Sequence, residues 1–168
     1  MKFSPPRAMT ALIGATAVCA ALGTTAAAAQ PAERCLPKAV TAWAAAWNGT
    51  DPQALGALFT TDGTYTDQAV GVTFHGRQEI AGWKARADNL IDNVQVTVRA
   101  VYRDGDHITI KAVYSGHLKG APKPFAVPMA TLLDLDNHQR IASDQDYYSL
   151  NAVLAQSGLP ADWAPPTH

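Results

Sequence analysis

The stretch VQVTVR at residues 94–99 decides the fold class. Valine alternates there with polar or charged residues, and a period of two is typical of a β-strand with one buried face. Upstream of this stretch the period is helical, because apolar residues recur every three or four positions between Leu36 and Trp47. The chain therefore changes from helices to strands near residues 92–93.

The helical half also contains a pair of short strands. Asn48-Gly49 is a helix end, and Asp51 followed by Pro52 is typical of the start of a second helix. The predicted elements are helices at 36–48, 52–59 and 77–90 and strands at 64–68 and 72–75. Gly76 separates the second strand from the third helix.

The rest of the chain is dominated by strands joined through turns such as Asp104-Gly105. Long strands are predicted at 94–102, 107–118, 125–135 and 141–148, followed by a short helix at 150–156. Helices followed by an antiparallel run of strands predict an α+β fold. We expect a curved, mostly antiparallel sheet wrapped around three helices to form a cone with an internal cavity, which would hold the functional site.

The first 29 residues have the three-part pattern of a secretory signal peptide. Lys2 and Arg7 precede an apolar tract, and an alanine-rich run of small residues ends it. The tract is short of the ~20 strongly apolar residues of a spanning helix. We therefore predict cleavage with no stable membrane anchor, and a secreted, periplasmic or otherwise extracytoplasmic protein. A domain at residues 30–159 and a Pro-rich tail at 160–168 would follow.

Charge and cysteine content exclude several classes of function. The full chain has 13 basic and 14 acidic residues, and loss of Lys2 and Arg7 leaves 11 basic residues. A net negative protein without a basic cluster is not predicted to bind nucleic acid. After cleavage Cys35 is the remaining cysteine, and it is interpreted as an inert thiol at a helix start rather than as a nucleophile or an intermolecular bridge.

Several weak motifs in a consistent order resemble those of the nuclear transport factor 2-like superfamily. They are WAAAWNG at residues 43–49, LF at 58–59, GTYTD at 63–67, FHG at 74–76 and DYY at 146–148. The order is most similar to the SnoaL-like branch, which is related to polyketide cyclases and ketosteroid isomerases. The resemblance covers roughly residues 36–159 and implies the same cone.

The resemblance implies that Asp67 is a catalytic residue. Ketosteroid isomerases place a general-base aspartate nine residues before the glycine that opens the third helix, as Asp67 is placed before Gly76. Burial in an apolar cone would raise the pKa of this carboxyl and suit it to proton transfer. The alternative is that Asp67 only caps a turn before the second strand.

Asp146 is the second catalytic residue that the resemblance implies. SnoaL-like cyclases and limonene epoxide hydrolases carry an aspartate there on the last strand, and the alternative is a hydrogen-bonded or solvated edge residue. Other positions depart from the relatives. The isomerase tyrosine falls on Trp43, its protonated acid falls near Thr131, and the epoxide hydrolase arginine and second aspartate fall on Ala112 and Tyr114.

The sequence also predicts what surrounds the two acids. The candidates for lining the cavity are Trp43, Tyr65, Trp83, Tyr114 and Thr131. No cofactor and no metal are expected, since the acids and histidine at residues 134–138 belong to a turn where polar side chains are solvated. A small apolar molecule is the expected ligand.

Two functions stay open at the level of sequence. One is an isomerase, cyclase or hydrolase that uses Asp67 and Asp146 as acid and base. The other is a non-catalytic module that binds a small molecule or associates with a protein. A homodimer through the outer face of the sheet is a further prediction, based on aromatic area from Tyr102, Tyr114 and Tyr148.

Overall fold

The structure is a computed structural model that describes residues 36–165. The predicted signal peptide at residues 1–29 and Cys35 lie outside the described residues. The helices are α1 (Lys38–Asn48), α2 (Pro52–Gly56), α3 (Gly76–Leu90) and α4 (Leu150–Ser157). The strands are β1 (Phe59–Asp67), β2 (Val72–His75), β3 (Ile91–Asp104), β4 (His107–Leu118), β5 (Phe125–Leu135) and β6 (Ile141–Tyr148).

The strands form one curved, open sheet in the order β2-β1-β6-β5-β4-β3. Neighbouring strands are antiparallel except for β1 and β6, which run parallel. The α+β fold class and the cone of helices within a mostly antiparallel sheet are therefore confirmed.

The helices bury one side each, as their sequence patterns predict. Val40, Trp43 and Trp47 of α1 are buried at a spacing of three and four residues. The Asp51 carboxylate accepts a hydrogen bond from the backbone N–H of Gln53 at 2.9 Å, which confirms it as the N-cap of α2. These contacts fix the helical side of the cone against the sheet.

The pairing of β6 with its two neighbours gathers polar side chains on one face. Asp146 lies opposite Asp67 on β1 and opposite Thr131 on β5. Because side chains alternate along a strand, Asp144 and Tyr148 share the face of Asp146. Two strands that are far apart in sequence therefore bring both predicted acids to one place.

The first strand differs from its prediction. It begins at Phe59 rather than at residue 64, so the stretch Thr61-Asp62-Gly63, whose composition is typical of a turn, lies within it. A side chain at Gly63 would come within 3.1 Å of the carbonyl oxygen of Ile141 on β6. Gly63 thus allows close approach of two backbones, a second use of glycine that resembles a turn signal in the sequence.

The tyrosines proposed for a dimer interface are not all on the outside. Tyr102 is exposed, whereas Tyr114 and Tyr148 line an internal cavity and pack edge to face with ring centroids 5.2 Å apart. Two of the three tyrosines therefore do not lie on the outer face of the sheet, and the dimer stays a prediction. Across residues 36–165, no helix is both long and apolar enough to cross a membrane.

The tail after α4 belongs to the packed structure as far as it is described. Gly158 ends the helix with a φ of 75°, a left-handed conformation that favours glycine. Trp163 then packs against the core, and its backbone N–H donates to the carbonyl of Pro160 at 3.1 Å. Trp163 and Pro165 form part of the cavity wall.

Candidate functional site: an aromatic cavity with buried carboxylates

The cone encloses a cavity of about 580 Å³ whose wall is mostly aromatic and aliphatic. That volume lies within the range of small-molecule sites. Its aromatic members are Trp47, Tyr65, Trp83, Tyr114, Phe125, Tyr148 and Trp163. The exposed lining residues form its mouth, which comprises Val70, Arg86, Asn89, Leu150 and Pro165.

A continuous row of rings joins three lining residues, Trp47, Tyr65 and Trp83, through Phe74, which does not itself line the cavity. Trp47 lies 5.9 Å from Tyr65 between ring centroids, and Tyr65 lies 6.4 Å from Phe74 in a near-parallel arrangement. Phe74 in turn stacks on Trp83 at 5.0 Å. The faces of such rings carry partial negative charge, which attracts cations as well as apolar groups.

Asp67 is buried in this cavity and is fully hydrogen-bonded. One carboxylate oxygen accepts the backbone N–H groups of Ala69 and Val70, both at 3.0 Å. The other accepts the hydroxyl of Tyr148 at 2.8 Å. Burial raises the pKa of Asp67, while these hydrogen bonds oppose the rise. The two interpretations of Asp67 are compatible in geometry, since the residue caps the turn and also lines the cavity.

Asp146 is buried beside it and is held by two hydroxyl groups. Tyr65 donates to one carboxylate oxygen at 2.7 Å, and Thr131 donates to the other. Burial raises the pKa of Asp146 to about 7, against the effect of these hydrogen bonds and with a contribution from the charge of Asp67. A carboxyl with that pKa exchanges its proton near neutral pH.

A third acid, Asp144, lies behind the cavity and was not singled out by the sequence. Its side chain is fully buried, and Trp43 donates its indole N–H to one oxygen at 2.8 Å. The other oxygen has no hydrogen-bond partner within the described residues. Burial, followed by the charge of Asp146, holds the pKa of Asp144 well above its usual range. These surroundings favour the neutral acid.

No buried cation balances these acids within the described residues. The buried Lys84 is 2.6 Å from Asp88 and also donates to the carbonyl of Gly49 at 2.9 Å, so its charge is already matched. Arg86, at the mouth, is the cationic side chain of the cavity lining. The buried part of the cavity is therefore an acidic site with aromatic walls.

The hydroxyl groups in the cavity are held in the donor form. Burial, followed by the charges of nearby aspartates, raises the pKa of Tyr65, Tyr114 and Tyr148. Tyr65 and Tyr148 therefore stay protonated, and each donates its one hydroxyl hydrogen to a carboxylate.

The predicted lining residues divide into two groups. Tyr65, Trp83 and Tyr114 line the cavity. Trp43 and Thr131 do not, which corrects their prediction, because both are completely buried one layer behind it and donate hydrogen bonds to Asp144 and Asp146. Their polar atoms support the acids and do not face a ligand.

Several lining residues were missed by the sequence reasoning. The sequence predicts Tyr148 as interface area and places Trp163 in a tail outside the domain, and no sequence pattern indicates Arg86 as a lining residue. Asp144 had a signal, since it precedes Asp146 by two residues on a predicted strand and must share its face. Among residues 36–165, no group of three metal-ligating side chains lies close enough to hold a metal ion.

The fold and the site together define a class of protein, the cone-shaped nuclear transport factor 2-like domains with an internal ligand cavity. Residues 40–143 match the model of the SnoaL-like domain. The chain therefore belongs to the SnoaL-like domain family, as the sequence motifs had indicated. No functionally curated protein matches it.

Solved structures support this assignment. A protein of ketosteroid isomerase-like fold from Catenulispora acidiphila DSM 44928, in complex with trimethylamine, is 66% identical with a TM-score of 0.77. The match covers 78% of this chain and all of that one.

More distant structures share the fold alone. A nuclear transport factor 2-like protein from Burkholderia thailandensis E264 is 22% identical over 73% of this chain and 95% of its own, with a TM-score of 0.62. An epoxide hydrolase from M. tuberculosis is 17% identical over 70% of this chain and 85% of its own, with a TM-score of 0.59.

Proposed function

We propose that the cone binds a small organic cation, an amine with apolar substituents, whose charge lies against Asp67 and Asp146. This narrows the apolar ligand expected from the sequence to one that also carries a positive charge. The observation that carries the proposal is a pair of buried carboxylates, set among aromatic rings, that have no buried cationic partner among residues 36–165.

Electrostatics favour such a ligand. A buried carboxylate is costly unless an opposite charge or strong hydrogen bonds compensate it. Hydrogen bonds hold the carboxylates of Asp67 and Asp146 in place, but they supply no positive charge. An ammonium group between the two acids would supply it, and its alkyl substituents would contact the rings of Trp47 and Tyr114.

The relative from Catenulispora acidiphila supports the same ligand class. Its structure is a complex with trimethylamine, which is a small amine with three methyl groups and is cationic when protonated. At 66% identity over the whole of that protein, we expect the two cavities to share their chemistry.

The test is calorimetric titration of the mature chain with trimethylammonium chloride and with tert-butanol, an uncharged molecule of similar size. We expect the cation to bind and the alcohol to bind much more weakly. Asp67→Asn and Asp146→Asn should each weaken cation binding at least about tenfold, because each removes a buried charge beside the ligand. Asp62→Asn is the matched control, since Asp62 is exposed on the same strand, β1.

Equal affinity for the alcohol and the cation would contradict the proposal. So would full cation affinity in both cavity variants. A loss in Asp62→Asn as large as in Asp67→Asn would show that general charge, and not the cavity, attracts the cation.

A second candidate function is proton transfer on the bound ligand, in an isomerisation, cyclisation or hydrolysis. The observation that favours it is the pKa of Asp146 near 7 in a buried position on the cavity wall. Asp146 would exchange the proton while Asp67, held by backbone N–H groups, stays charged. In an assay across lactones, enones and epoxides, Asp146→Asn should lower any turnover by about 10²–10⁴-fold. A turnover unchanged in this variant would leave binding as the function.

We also propose that this site works outside the cytoplasm. The support is the signal-peptide pattern of residues 1–29. The intact mass of secreted material should lack those residues, and a mass that retains them would contradict the proposal.

A further inference from the structure

The mouth of the cavity carries two polar side chains that the proposed function does not use. Arg86 and Asn89 both line the cavity and are three residues apart on α3, so they lie side by side on one helix face. Within the described residues, neither takes part in a side-chain hydrogen bond, and Arg86 is in no ion pair. Within residues 36–165, their donors therefore have no hydrogen-bond acceptor.

Two aromatic rings fix the position of the guanidinium group of Arg86. Its central carbon is 5.1 Å from the ring centroid of Phe74 and 5.7 Å from that of Trp83. Stacking on rings leaves the edge of the guanidinium, where its N–H donors are, free to bind an acceptor. A planar guanidinium with a neighbouring amide matches the geometry of a carboxylate.

The cavity therefore has separate regions of opposite charge. Asp146 is hydrogen-bonded to Tyr65, Tyr65 stacks on Phe74, and Phe74 stacks under Arg86. The acids and the guanidinium thus stand on either side of a row of rings. A molecule as small as trimethylamine would occupy only part of the 580 Å³ and would reach one region alone.

We propose that Arg86 and Asn89 form a carboxylate site, and that the ligand is a zwitterion with an alkylated ammonium group and a carboxylate joined by a short apolar spacer. This inference rests on the proposed function, which provides the binding site for the ammonium group of the ligand. The spacer would lie along Tyr65 and Trp83, the ammonium group would lie against Asp67 and Asp146, and the carboxylate would accept hydrogen bonds at the mouth.

Two probes separate the inference from the proposed function. They are 4-(trimethylammonio)butanoate and butyltrimethylammonium, which share the ammonium group and the spacer and differ mainly in the carboxylate. Calorimetric titration of the wild-type chain should show about tenfold tighter binding of the zwitterion, the effect of one charge-assisted contact at an exposed site. Added salt should reduce that preference, since exposed charges are screened.

Variants then locate the effect. Arg86→Gln should abolish the preference for the zwitterion and leave the affinity for butyltrimethylammonium unchanged or slightly higher. Asn89→Asp should also lower zwitterion affinity by placing a negative charge beside the guanidinium. Arg99→Gln is the matched control, because Arg99 is an exposed arginine on β3 that does not line the cavity.

The outcomes are distinguishable. If neither probe binds, the proposed function fails and the inference fails with it. If butyltrimethylammonium binds as tightly as the zwitterion, or if Arg86→Gln keeps the preference, the cation site stands and the carboxylate site is overturned.

Discussion

Acidic side chains occupy two regions of this protein, and their surroundings are opposite. Inside the cone, Asp67, Asp144 and Asp146 are buried among aromatic and aliphatic residues, and burial raises the pKa of each. Their partners are neutral hydroxyl, indole and backbone N–H groups.

Outside the cone, the acids near the turn between β5 and β6 are partly exposed and lie beside basic side chains. Asp136 is 2.8 Å from Arg140, and Asp134 is 2.6 Å from His107. Desolvation at Asp136 is outweighed by hydrogen bonds from the backbone and side chain of Arg140, so the pKa of Asp136 is lowered. The hydrogen bond and charge of Asp134 raise the pKa of His107.

The comparison shows where the protein has unbalanced charge. On the outer turn, Asp136 has the counter-charge of Arg140, Asp134 has a basic partner in His107, and both carboxylates are partly open to water, so these groups have no need of a ligand. In the cone, the described residues supply hydrogen bonds to the buried acids but no buried cation. That difference, and not the number of acids, is what supports the proposal that the cavity binds a cation.

The largest expected effect is on the pH dependence of folding stability. Asp146 has a folded pKa of about 7, and an unfolded aspartate has about 3.9. Between these values the folded state holds a proton that the unfolded state has lost, so the contribution of Asp146 to the free energy of unfolding falls as pH rises. The slope would be up to about 1.4 kcal/mol per pH unit.

The measurement is urea unfolding of the wild type and of Asp146→Asn without ligand, from pH 4 to pH 8. The wild type should lose stability relative to the variant between pH 4 and 7 and then keep a constant difference. Subtracting the two curves cancels the titrating groups that do not interact with Asp146. A flat difference would show that Asp146 titrates as an ordinary exposed acid, and a difference that grows in favour of the wild type with pH would show that its folded pKa is lowered; either result would contradict the prediction.

The second largest expected effect is a loss of folding stability in Trp43→Phe. It tests whether Asp144 supports the fold and not ligand binding. Trp43→Phe removes its donor and should lower the free energy of unfolding by about 1–3 kcal/mol, the cost of a buried polar group left without a partner. Adding Asp144→Leu should recover part of the loss, because both polar partners are then gone. Neither residue lines the cavity, so cation affinity measured by calorimetry should change little. A loss of cation binding in Trp43→Phe larger than in Asp67→Asn would contradict this division of roles.

Much of the fold could be predicted because it depends on local patterns. The alternation in β3 and the helical spacing in α1 each report one buried face, and the cap at Asp51 reports a helix start. The start of β1 could not be predicted from the sequence. A glycine such as Gly63 can indicate a turn, but it can also allow the close approach of a neighbouring strand, as it does here at the backbone of Ile141. Local patterns carry no information on such long-range approaches.

The site could be predicted only in part. The resemblance identified Asp67 and Asp146, and the structure brings both to one cavity. Which side chains face that cavity depends on packing between distant elements, so Trp43 was misplaced and Trp163 was missed. The charge balance was also hidden, because a count of acidic and basic residues does not say that Lys84 is already paired with Asp88.

The smallest expected effect is at Asp136, in the outer region. The pH dependence of stability there should have the opposite sign to that at Asp146. Because the folded pKa of Asp136 is lowered, its contribution to stability is present above the unfolded pKa and is lost as pH falls through the folded one. Asp136→Asn should therefore cost a little stability at neutral pH, and the difference from the wild type should vanish in acid. The effect should be small and should shrink in added salt, since an exposed ion pair is weak and screened. The same urea unfolding series measures it, and cation binding should not change.

If Asp136→Asn and Asp146→Asn gave pH slopes of the same sign, the two regions would not differ in the way that burial requires, and the argument for an unmatched charge in the cone would lose its physical basis.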